Sequence, residues 1–219
     1  MHCERLLPGC VSKNVLVGHQ QQLFLFEGNY NQFAFLTGQE RVNESSKSNF
    51  LSNLRHRRAF AEHLNIPYLH VVVPCKPLVV RHQCPTPYRK TIRSLFLHAY
   101  APLFRGHDPI EERVLYPLAA LVRSQAHQDC YWANDTHINA VGQLCLYREI
   151  GKHLPDLSDN FPLFRITEQA RLGDLTYMLE QTEPLPSLCF PWLGEILQYS
   201  NTNELPGNTG DVVIVHNPL

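Results

Sequence analysis

A single α/β domain, with helices layered on a mostly parallel sheet, is what this sequence predicts, and three observations predict it. Phe50, Leu51, Leu54, Ala61 and Leu64 recur at helical spacing. Tyr68 to Val73 follows at once as an apolar, β-branched run, as expected of a strand buried on both faces of a parallel sheet. The chain has 219 residues, 44% of them hydrophobic and 10% aromatic, enough for one sizeable core and too apolar for a disordered segment.

Composition narrows the function classes. A net charge of −1 gives no electrostatic reason to expect nucleic acid or an anionic membrane surface. No stretch approaches the roughly 20 apolar residues of a membrane span. The seven cysteines form no CxxC pair, which points to reduced thiols rather than a disulfide framework or a zinc site. Neither a metal nor an organic cofactor is expected, since there is no glycine-rich phosphate loop and no ligand pair at metal-binding spacing. Met1 to Gly18 has no long apolar core and carries Pro8, so the residues alone suggest a cytoplasmic protein.

Residues 1–14 read as an irregular lead-in. Val15 to Phe35 reads as two strands, around Leu23–Phe26 and Phe33–Leu36, joined by a turn at Gly28-Asn29 and Asn31. Ser45, Ser46 or Ser48 is expected to cap the helix that follows, whose basic run Arg55 to Arg58 is its solvated face. Asn65-Ile66-Pro67 ends that helix. After the strand at 68–73, Lys76 falls at the carboxyl end, where ligands gather in open α/β sheets; it is either a cation near substrate or a loop lysine in solvent.

A break is expected at Cys84 to Tyr88. Helices are expected over 90–100 and 110–128, the second with Pro117 near its start or at a kink. Cys130-Tyr131-Trp132 predicts a short strand, and Val141, Leu144, Cys145 and Ile150 form the apolar stripe of a helix over 140–154. Residues 155–171 are mixed loop and strand, Asp174 a turn or cap residue before a short helix, 184–210 loop-rich, and Val212 to Val215 a final strand.

The chemistry-bearing stretch is Asn134-Asp135-Thr136-His137-Ile138-Asn139. In an extended segment, residues two apart point to the same side, so Asp135 and His137 can face one point. A carboxylate holding one ring nitrogen leaves the other to take a proton from a hydroxyl. The plainer alternative is a capped helix start, with Asp135 or Asn139 accepting from free N–H groups and His137 on the surface.

This stretch, with Gly142 and its helix, resembles the Asp-Thr-His-Trp-Asn block of the alginate O-acetyltransferase AlgX/AlgJ family. Three further segments match in order. Gly18 to Leu25 is similar to that family's opening Gly-x-x-x-x-Leu-Phe segment, Pro67 to Lys76 to its strand ending in Val-Pro-x-Lys, and Gly173-Asp174-Leu175, with Met178-Leu179, to its Gly-Asp-Leu block. The sequence departs at Ile138, where the family carries Trp, and it contains no Gly-Asp-Ser turn of the kind that holds the family's nucleophilic serine.

The resemblance implies an SGNH-hydrolase-like (flavodoxin-like) three-layer fold over residues 1–219, incomplete at its C-terminal end. Asp135 would orient His137 as the base for a serine, and the reaction would pass an acetyl group from a donor to a carbohydrate or polysaccharide. Lys76, Asn134 and Asn139 would lie near substrate. Relatives of this kind are mostly exported, in contrast to the cytoplasmic reading. The serines present, Ser45, Ser46, Ser48, Ser94, Ser124, Ser158, Ser187 and Ser200 among them, lack the expected strand-to-turn context. A non-catalytic relative that binds carbohydrate or a partner protein is therefore the alternative. A sheet lacking its last strand would expose an edge, which predicts self-association.

Overall fold

The computed structural model describes residues 7–27, 31–104, 113–154, 167–181 and 185–189. Among them, three small sheets and short helices make a mixed α/β structure. β1 (Val11–Ser12) and β2 (Val15–Val17) form a hairpin whose turn residues Lys13 and Asn14 have φ 47° and 63°. Two successive left-handed residues match the twist of the paired strands. β3 (Leu23–Leu25) adds antiparallel to β2, with Leu16 opposite Phe24.

The second predicted strand is instead helix α1 (Gln32–Thr37), bracketed by Asn31 and Gly38 in left-handed conformations, φ 45° and 79°. Those ends close the chain into one short helix, which buries Phe33, Ala34 and Leu36 together. The predicted turn residues Gly28-Asn29 lie outside the described residues.

Helix α2 (Glu44–His63) is the long amphipathic helix expected, with Leu54 and Ala61 buried, and Asn65 beyond it is left-handed at φ 53°. Its cap is Asn43, whose side chain accepts from Ser46 N at 2.7 Å, not one of the serines. The next strand is much shorter than predicted. β4 is only His70–Val71, half-buried, and Val73 is 48% exposed. Pro67 and Pro74 flank the run, and neither can donate to a ladder.

α3 (Lys76–Val79) and a 3₁₀ turn at Arg81–Gln83 follow, and the break expected at Cys84 to Tyr88 contracts to Cys84-Pro85, because α4 (Thr86–Thr91) starts at once with Pro87 in its first turn. The helix predicted over 90–100 is split. Beyond α4 a π turn spans Phe96–Tyr100 and a 3₁₀ turn Ala101–Phe104, anchored where the Ser94 hydroxyl accepts from Leu97 N at 3.2 Å.

β5 (Val114–Leu115) pairs in parallel with β4, taking residues expected to be helical, and α5 (Leu118–Gln125) begins directly after Pro117. This is the parallel pair among the described residues; the other two sheets are antiparallel. Of the mostly parallel sheet expected, the described residues hold one pair of two-residue strands, beside two antiparallel sheets. α6 (Ala140–Gly151) is as expected. β6 (Thr167–Arg171) then leads to α7 (Asp174–Met178) and pairs antiparallel with β7 (Leu185–Cys189), which occupies the start of the stretch read as loop. The predicted strand at 212–215 lies outside the described residues.

The main core joins Leu16 and Phe24 from the first sheet to Phe33, Val80, Ile92, Leu121 and Val141 from the surrounding helices, with Cys84, Cys130 and Tyr131 among them. A second cluster packs Leu54 of α2 against Phe104. The chemistry-bearing loop starts from the first of these, because Cys130 and Tyr131 are core residues.

Candidate active site

Residues 130–139 form a closed loop over the main core. Tyr131 and Ile138 make one antiparallel bridge, so the predicted strand at 130–132 contracts to a single paired residue. Asn139 N donates to Cys130 O at 2.9 Å and closes the loop. Asn139 also caps α6, its Oδ1 accepting from Val141 N at 3.0 Å and Gly142 N at 3.1 Å. Its Nδ2 donates to Asp129 O at 2.6 Å, so its donor is turned into the loop and not toward open space. Gly142 has a reason to be glycine: a Cβ there would stand 2.4 Å from Cys130 O.

Asp135 and His137 do meet, by a different device from strand alternation. Asp135 Oδ1 accepts from the backbone N of His137 at 2.9 Å, an Asx turn, and the same oxygen lies 2.6 Å from His137 Nδ1. Asp135 Oδ2 accepts from Arg171 Nη2 at 3.0 Å and from Asp174 N at 3.2 Å. Burial pushes the Asp135 carboxyl up, but the backbone and ring N–H groups of His137 and the N–H of Asp174 outweigh it and hold the carboxyl below its ordinary value. An ionised carboxylate only accepts, so the proton of a neutral His137 sits on Nδ1 and Nε2 carries the lone pair. Asp135 is 2% exposed at its side chain and His137 69%. The buried acid holds a ring that is itself largely exposed.

Two residues that sequence reasoning did not single out complete the arrangement. Arg171, at the end of β6, lies over the Trp132 ring at 4.2 Å while it holds Asp135. Thr136 joins the loop to α7: its N donates to Asp174 Oδ1 at 2.9 Å and its hydroxyl to Asp174 Oδ2. Asp174, expected as a turn or cap residue before the helix, is instead its first helical residue, and the cap is Gly173. The Asp174 carboxylate serves Thr136, with Oδ2 also 3.7 Å from His137 Nδ1. Gly173 permits this approach, since a Cβ there would stand 2.1 Å from Asn134 O. The Arg171 position carried no signal, because nothing in its spacing relates it to residue 135.

Lys76 is neither in solvent nor facing open substrate space. It is 3% exposed, and its Nζ donates to the backbone oxygens of Leu23, Trp132, Ala133 and Asp135 at 2.6, 2.7, 2.8 and 3.1 Å. Asn134 is 1% exposed and donates from Nδ2 to Arg171 O at 2.8 Å, while its Oδ1 is buried without a partner. The buried positions of Lys76, Asn134 and Asn139 make them supports of the loop; among the described residues, His137, Arg171, Thr136 and Asp174 form its accessible rim.

Asp135, His137 and Asp174 offer ligand atoms within 4.8 Å of one another, a possible metal-binding group. The donor set fits a cation poorly. Every carboxylate oxygen in it already accepts an N–H or O–H, and the Arg171 guanidinium adds a positive charge 3.0 Å from Asp135.

The segments Gly18–Leu25, Pro67–Lys76, Asp135–Asn139 and Gly173–Leu175 all meet here: Leu23 N donates to Ala133 O at 2.8 Å, Lys76 binds four carbonyls, and Asp174 N reaches Asp135. The class defined by this fold and site is a mixed α/β domain with a buried-carboxylate, open-imidazole pair. No protein-family model and no curated protein matches the chain. Among solved structures, the O-acetyltransferase domain of Pseudomonas putida AlgJ shows a distant likeness, with TM-score 0.47 and 18% identity over 80% of this chain and 63% of that one. The chain thus matches less than two thirds of that domain's length. Among the described residues, no helix is long and apolar enough to cross a membrane.

Proposed function

We propose that this chain is an SGNH-like acyl-ester enzyme that moves an acetyl group onto or off a carbohydrate hydroxyl, with His137 as general base and Asp135 as its orienter. The observation that carries the reading is the 2.6 Å contact of buried Asp135 with Nδ1 of an imidazole that is itself largely exposed. His137 Nε2 takes the proton of a serine hydroxyl as that oxygen attacks the acyl carbonyl. The tetrahedral intermediate collapses, the leaving alkoxide takes the proton from His137, and an acetyl-enzyme remains. An acceptor hydroxyl, of a sugar or of water, then repeats the sequence in reverse and carries the acetyl group away.

The alternative, a non-catalytic relative that binds carbohydrate or a partner protein, is favoured by one observation: among the described residues, no serine hydroxyl is hydrogen-bonded to His137. The side chains of Ser158, Ser187 and Ser200 lie outside the described ones and are the nucleophiles to test.

The deciding experiment is hydrolysis of an activated acetate ester by wild type, His137→Ala, Asp135→Ala and alanine variants of those three serines. The reading expects both dyad variants to lose about 10²-fold or more, the scale of a general base, and one serine variant to abolish acyl-enzyme trapping. Wild type indistinguishable from buffer would overturn it, and binding to acetylated and plain polysaccharide would then test the alternative.

A further inference from the structure

We infer that Lys76 is a positioning residue for the dyad: its buried ammonium gathers four backbone carbonyls and thereby fixes the loop that presents Asp135 and His137. The inference rests on the dyad reading above, for which it names a residue that acts from beneath the site and touches no substrate.

Three of the four carbonyls, those of Trp132, Ala133 and Asp135, belong to the loop, and the fourth, Leu23, belongs to β3. Carbonyls turned toward one point repel each other, and of these four Ala133 O also accepts from Leu23 N at 2.8 Å, so the shape calls for a cationic donor at its centre. An ammonium has three N–H groups and no lone pair, so it can serve three of these oxygens at once, while Ala133 O has Leu23 N as a further donor. A neutral amine offers one fewer donor and turns a lone pair on an oxygen.

The ammonium also lies 5.3 Å from the centre of the Phe24 ring. Burial lowers its pKa to about 7, while the negative charges of Asp135 and Asp174, chief among several, act to raise it. Its aliphatic stem starts at the first residue of α3, so the cation ties α3, β3 and the loop together. Asp135 sits on the same segment: its own carbonyl binds Lys76 while its carboxylate binds His137. Removing the charge frees the backbone on which the carboxylate stands.

The test is a spectroscopic signature of His137, the ¹⁵N shifts of its ring nitrogens, which report the nitrogen that bears the proton. Wild type is expected to hold the Nδ1–H tautomer. Lys76→Met, of similar length and uncharged, is expected to fold and to shift the ring toward the Nε2–H tautomer that an unheld imidazole prefers. If the wild type hydrolyses ester, kcat should fall about 10- to 10²-fold, the scale of a misplaced catalytic group, with KM little changed.

Should Lys76→Met not fold, Lys76→Ala refolded with propylammonium decides the matter. The added cation is expected to restore both the fold and the Nδ1–H tautomer, and propanol is expected to restore neither. A folded Lys76→Met that keeps the wild-type tautomer overturns the inference. So does rescue by propanol, or failure of propylammonium to restore the fold. The nitrogen readout needs no turnover, so an inactive wild type would remove the acyl-transfer reading without touching this one. An active wild type with an unaltered Lys76→Met would do the reverse.

Discussion

Cys84 in the apolar core and Asp135 above it are almost equally hidden, 0% and 1% exposed, yet burial has opposite outcomes for them. Burial pushes the Cys84 thiol up to about 12, with nearby Lys76 opposing it only in part. Cys130, also fully buried, is pushed up to about 11. Asp135 is held below its ordinary value, because the N–H groups directed at its carboxylate outweigh the desolvation. Withdrawal from water pushes both acids up; the net direction depends on whether donors to the charged form replace the water. The core offers its thiols too little to offset burial, the Ser124 hydroxyl at Cys130 and the Lys76 charge near Cys84 opposing it only in part, whereas the loop aims backbone N–H, imidazole and guanidinium at one carboxylate.

The sharpest way to break this comparison is alkali. The thiols have folded values above their unfolded value of about 9, so their contribution is fully present below pH 9 and is lost as pH rises toward 11 and 12. Each should cost about 1.4 kcal/mol per pH unit across its window, since the unfolded chain can ionise and the core cannot. Denaturant midpoints should therefore fall steeply from pH 9 upward. In Cys84→Ala the fall should be shallower, from a lower starting stability because a buried sulfur is gone. A wild-type midpoint that stays level to pH 11 would place these thiols in contact with water.

Acid tests the other region, with the sign reversed. Asp135 has a folded value below its unfolded one, so its contribution is present above about pH 4 and disappears as pH falls through the folded value. Asp135→Asn keeps the shape and removes the charge. At pH 7 it should lose about 2 kcal/mol, the scale of hydrogen bonds to a charged group. Its midpoint between pH 5 and pH 2 should also vary less than that of wild type. Parallel acid profiles for the two proteins would show that the carboxylate's bonds contribute nothing to folding.

How much of this was legible in the sequence follows from the same physics. The long helix α2 was readable because Leu54 and Ala61 repeat with its own period, a local property. The short elements were not. His70–Val71 reads as the middle of a longer strand until its flanking prolines are weighed, and Phe33–Leu36 has the composition of a strand but the end conformations of a helix. At the site, Asp135, His137 and the cap Asn139 could be found because they interact over two or three positions. Arg171 is 36 positions from Asp135, and Lys76 is 59, so no spacing rule reaches them. The place of Lys76 after a strand leaves it either near substrate or in solvent, and only its fit to the Val-Pro-x-Lys pattern marks it out; its position under the loop has no sequence signal. Gly142 and Gly173 appeared in the sequence only as motif letters. Their meaning, backbone approaching backbone more closely than a Cβ allows, is visible only in three dimensions.

The smallest expected effect completes the comparison with donors that lack burial. On α2, Arg58 Nε lies 2.7 Å from Glu62 Oε1, a contact as short as those around Asp135, with side chains 27% and 59% exposed. Both charges keep much of their water, so the attraction is screened and is offset by the freedom two long side chains lose when held together. Arginine preceding glutamate by four is also the less favourable order along a helix. Arg58→Ala should thus change unfolding free energy by less than about 0.5 kcal/mol, and the difference should fade in concentrated salt. A salt-insensitive loss as large as that of Asp135→Asn would mean that short distance alone, without exclusion of water, makes these contacts strong, and the contrast between helix and loop would fail.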